Sequence, residues 1–72
     1  MKDEEYLKRL GAKIHDLRKE KGLSQGQLAK NIGTYHTQIG RIERGEINTT
    51  INMLRKIAKE LDVEINQLVK LS

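Results

Sequence analysis

At 72 residues the chain has room for one domain, residues 1–72, near the lower limit at which a core holds without help. It contains no cysteine, which excludes disulfide staples and thiolate metal sites and leaves oligomerisation as the added source of stability. A net charge of +4 favours a polyanionic partner, while two tyrosines as the whole aromatic complement argue against binders that stack single-stranded bases on aromatic platforms.

Leu7, Leu10, Ile14 and Leu17 recur at helical spacing in a charged background, so residues 4–21 are predicted to form an amphipathic helix that Gly22 stops. Ser24 stands where an N-cap belongs, with Gln27 three positions on to complete a capping box. Leu28, Ala29 and Ile32 supply the buried stripe of a second helix, about 24–31. Gly33 suits a tight left-handed turn, and Thr34 or Tyr35 opens a third helix that carries Ile39 and Ile42 and ends at Gly45. After a loop over 46–49, Thr49 or Thr50 caps a fourth helix with Ile51, Leu54, Ile57, Ala58 and Leu61, broken by Asp62 and Val63. A short fifth helix, about 64–70, presents Ile65, Leu68 and Val69. No strand alternation, repeat or proline interrupts this series, and the expected class is all-α.

The opening MKDEEYLKRL mixes acids with bases where a secretory signal needs an apolar run, and no stretch is long enough to span a membrane. A cytoplasmic protein is expected. Net charge is +2 over residues 1–22, +2 over 23–45 and zero over 46–72, which directs an anionic partner to the first two thirds of the chain.

Two short helices joined by a glycine-bearing turn at 24–44 have the arrangement that lays one helix across a DNA backbone and the next in the major groove. The string LSQGQLAKNIGTYHTQIGRIERG at 23–45 resembles the phage repressor and Cro-type helix-turn-helix family, also called the XRE family. LGAKIHDLRKEKG upstream resembles that family's first helix, and NTTINMLRKIAKELDVEINQL downstream resembles its fourth and fifth, so the likeness covers about Leu10 to Leu68. It implies a five-helix, lambda-repressor-like fold that binds double-stranded DNA and regulates transcription.

At 100° per residue, Thr37 and Arg41 share one face of the third helix, His36 and Gly40 flank it, and Ile39 and Ile42 point away. His36, Thr37, Gln38 and Arg41 are therefore the candidate base readers: arginine grips guanine, glutamine grips adenine, and the threonine methyl meets thymine. Four polar residues on an isolated helix would be only a solvated face; inside this motif the reading role is favoured. The resemblance places 36, 37 and 41 at the family's base-contacting positions. Gly40 costs about 0.5–1 kcal/mol against alanine in a helix interior, and either groove depth or close packing would account for it.

Candidate phosphate contacts are Gln25 at the start of the second helix, Tyr35, Arg44 and Asn48, with Lys30 a weak one. The resemblance gives Gln25 a backbone contact or a bracing role, and it implies an ion pair between Arg18 and Glu43 that orients the reading helix. Tyr35 replaces the family's usual small N-cap, and Thr49 stands where proline is common. Leu68, Val69 and Leu71 form the expected dimer interface, with Leu68 turned inward and the other two across it. Neither His15 nor His36 has metal or catalytic spacing, so no enzyme activity and no cofactor are expected. His15 reads as a surface residue. The competing class is a protein-interaction module or antitoxin-like partner built on the same fold, whose mark would be a third helix without DNA-bonding groups.

Overall fold

Five helices follow one another in a computed structural model that describes residues 3–70: α1 (Asp3–Glu20), α2 (Gln25–Ile32), α3 (His36–Glu43), α4 (Ile51–Glu60) and α5 (Ile65–Val69). Three of the four breaks turn on a glycine, and the α4–α5 break on Asp62, whose φ is 60°. Gly22, Gly33 and Gly45 take φ values of 72°, 77° and 71°, the left-handed conformation open to glycine at little cost. At the head of α2, Ser24 Oγ accepts from the Gln27 amide at 3.0 Å, and Gln27 Oε1 accepts from the Ser24 amide at 2.7 Å. Two otherwise unpaired donors of the first turn are satisfied by this exchange.

Two open choices of the sequence are settled by geometry. Tyr35, not Thr34, is the N-cap residue of α3; its backbone is extended and its side chain makes no capping bond. Thr50, not Thr49, caps α4 by accepting from the Met53 amide at 3.0 Å. The fifth helix is a residue shorter at each end than periodicity suggests.

The core draws one wholly buried large side chain from every helix: Ile14, Leu28, Ile39, Ile57 and Leu68. Burial of this kind stabilises by about 1.5–3 kcal/mol per side chain. α3 packs on α2 and α1, while α4 and α5 close the other side of the core. The α1–α3 crossing is set by Gly11, where a β-carbon would run into the carbonyl oxygens of Ile42 and Glu43. With no side chain at that position, the backbone of α1 rests directly on the end of α3 and fixes its tilt.

Candidate nucleic-acid interface

Glu43, the last residue of α3, points into the protein with a side chain only 3% exposed. Its carboxylate takes a bidentate grip from Arg18 of α1, Nε to Oε2 at 2.6 Å and an Nη to Oε1 at 3.0 Å. Arg18 also donates to the Leu23 carbonyl at 2.8 Å, tying the α1–α2 turn to the pair. Gln25 of α2 donates through Nε2 to Glu43 Oε1 at 2.9 Å, and His15 Nδ1 lies 3.0 Å from the same oxygen. Burial alone would push the Glu43 carboxyl up; hydrogen bonds from Arg18, Gln25 and His15 outweigh it and hold the group below the usual carboxylate range. Three helices are thus clamped on one ionised oxygen pair at the end of α3.

The network continues outward. Gln25 Oε1 lies 3.0 Å from His36 Nε2, so the first residue of α3 is joined to the last through a side chain of α2. Gly40 is buried beneath this bridge: a β-carbon there would stand 3.4 Å from Gln25 Oε1 and 3.1 Å from an Arg44 nitrogen. Only the exposed Arg44 side chain comes closer than an ordinary contact, so packing against α2 does not demand glycine here. His15 is exposed, as read from the sequence, and from the surface its Nδ1 also reaches the clamp, an i, i+3 neighbour of Arg18.

Of the four candidate readers, His36, Thr37 and Arg41 are exposed and Gln38 is half-buried. They follow one another along the outward side of α3, while Ile39 and Ile42 face the core. Tyr35 (80% exposed) stands at the head of that helix, and Asn48 is exposed in the α3–α4 loop. Lys19, Ser24 and Gln25 line, with His36, a shallow cleft at the positive end of α2, which adds Lys19 to the cations near the face.

Two candidates for phosphate contact are already engaged. Both polar ends of the Gln25 side chain are bonded, which makes it the brace between Glu43 and His36. Arg44 is paired with Glu46, Nε to Oε2 at 2.6 Å, so a phosphate would have to take Glu46's place. The dimer candidates also separate. Leu68 is wholly buried in the core and has no surface to offer a partner; Val69 is half-buried, its carbonyl accepting from the Tyr6 hydroxyl at 2.7 Å; and Leu71 lies outside the described residues.

A helix braced at both ends, apolar inward and hydrogen-bonding outward, and preceded by a second helix across a glycine turn, defines a helix-turn-helix domain of the DNA-binding type. The helix-turn-helix family model HTH_3 matches residues 14–68, and the chain belongs to that family. Over 61 residues the chain is 39% identical to the ImmF control region 10 kDa protein of Bacillus phage phi105, covering 85% of this chain and 68% of the phage protein. It is 36% identical to the HTH-type transcriptional regulator SinR of Bacillus subtilis, covering 83% of this chain but only 55% of SinR. Among solved structures, the restriction-modification controller protein C.AhdI of Aeromonas hydrophila superposes with a TM-score of 0.84 at 37% identity, covering 86% of this chain and 94% of that one. The DNA-binding domain of BldD superposes with a TM-score of 0.82 at 30% identity, covering 96% and 99%. These relatives are regulators and control proteins. No helix among the described residues is long and apolar enough to cross a membrane.

Proposed function

We propose that the protein is a cytoplasmic transcription regulator without enzymatic activity that reads double-stranded DNA in the major groove with α3, as a homodimer on a two-fold symmetric site. The observation that carries this reading is the exposed row of His36, Thr37 and Arg41 on a helix whose orientation is fixed by the buried Glu43 clamp. A protein-interaction module of the same fold would have no need of such a row. Arg41 suits a guanine edge, the Thr37 methyl a thymine, and Gln38 either a base or the backbone. Lys19, Tyr35, Asn48 and the Gln25 and Gly26 amides at the start of α2 supply backbone contacts, and Arg44 joins them by releasing Glu46.

One subunit offers few base contacts; a two-fold pair doubles them on half-sites about 34 Å apart. Val69, whose side chain is only half-buried, and Leu71 are the proposed interface. Selection of bound sites from a random duplex library tests the reading. Enrichment of a palindromic motif with half-sites one helical turn apart is expected; enrichment of nothing would overturn it.

A further inference from the structure

The clamp does more than hold α3 still, because it also settles which way its hydrogen bonds run. Arg18 is permanently protonated and grips Glu43 with two nitrogens, so the Glu43 carboxylate is ionised and can only accept. The Gln25 group 2.9 Å away is therefore the amide nitrogen, since a flipped amide would set two acceptors against each other. That leaves Gln25 Oε1, also only an acceptor, 3.0 Å from His36 Nε2, and this nitrogen must carry its proton to make the bond. In the neutral ring the proton on Nε2 leaves Nδ1 as a lone pair, with no partner elsewhere among the described residues, on an exposed residue at the head of the reading helix.

Taking the DNA reading above as its basis, we propose that His36 is a specificity-determining residue that accepts, through Nδ1, a hydrogen bond from the exocyclic amine of an adenine or cytosine. Phosphate and the guanine edge present only acceptors and cannot bond to the Nδ1 lone pair of the neutral ring. The selectivity of His36 is thus set by the buried Glu43 carboxylate at the other end of α3, acting through Gln25, 11 residues upstream of His36.

The test combines nitrogen chemical shifts with base analogues. In the 15N spectrum of the protein on its selected duplex, His36 Nε2 is expected to be protonated and Nδ1 bare. At the base pair whose preference is lost in His36→Ala, replacing adenine by purine, or cytosine by 2-pyrimidinone, removes the amine. That change should weaken the wild-type protein about five- to tenfold and the His36→Ala variant hardly at all. A proton on Nδ1 in the complex, a His36-dependent preference for guanine abolished by 7-deazaguanine, or an equal loss by His36→Ala on every sequence would each overturn the assignment. Failure to select any motif is a different result: it would remove the DNA reading itself, and this inference with it.

Discussion

Arg18 and Glu43 differ from the other charged residues in being buried together, and removing either alone strands the other. Arg18→Met or Glu43→Leu should cost about 3–5 kcal/mol, whereas the double replacement should recover much of that loss; thermal denaturation of the three variants measures it. Because Glu43 titrates lower in the folded chain than in the unfolded one, its contribution is complete above the ordinary glutamate pKa of about 4.3 and is lost as pH falls through the folded value. Stability of the wild type should accordingly drop on acidification below that range more steeply than that of Glu43→Gln, as urea titrations at successive pH values would register. The pair itself was legible from the family pattern. So was a bracing role for Gln25, but its partner His36 and the part of His15 were not, because a helical wheel gives the face of a residue and not the reach of its side chain across to another helix.

At the scale of elements, caps and turns were the most readable features. Ser24 with Gln27, and the glycines at 22, 33 and 45, announce their conformations in residue type alone. The start of α3 was less readable, since Tyr35 makes no capping bond and the boundary is fixed by the turn behind it. Glycines inside helices differ in the same way: nothing in the sequence ranks Gly11 against Gly40, yet their surroundings do. Gly11→Ala would drive a methyl into the backbone of Ile42 and Glu43 and should destabilise by about 2–4 kcal/mol. Gly40→Ala meets only the ends of Arg44 and Gln25 side chains, and the exposed Arg44 can swing aside. That substitution should stabilise by about 0.5–1 kcal/mol through helix propensity, raising the melting temperature where Gly11→Ala lowers it.

For the whole molecule, the bulk charge of +4 was a weaker guide than where the exposed groups stand around α2 and α3. With about three to five phosphates neutralised per subunit, the logarithm of affinity should fall with the logarithm of salt at a slope of about 2.7 to 4.5 per subunit. Val69→Lys should leave a folded chain with reduced self-association, visible in sedimentation, because Val69 is only partly covered by the core. An unchanged dimer would place the interface elsewhere on the surface.

The central claim, that the outward face of α3 reads sequence rather than charge, is tested most directly by titrating Arg41→Ala against the selected duplex and against a set with each base pair changed, all at one salt concentration. The account predicts a loss of about 1–3 kcal/mol on the selected site, relaxed preference at a single base pair, and an unchanged melting temperature for the exposed residue. An equal loss on every duplex, with all preferences intact, would contradict it and reduce Arg41 to an anchor on the phosphate backbone.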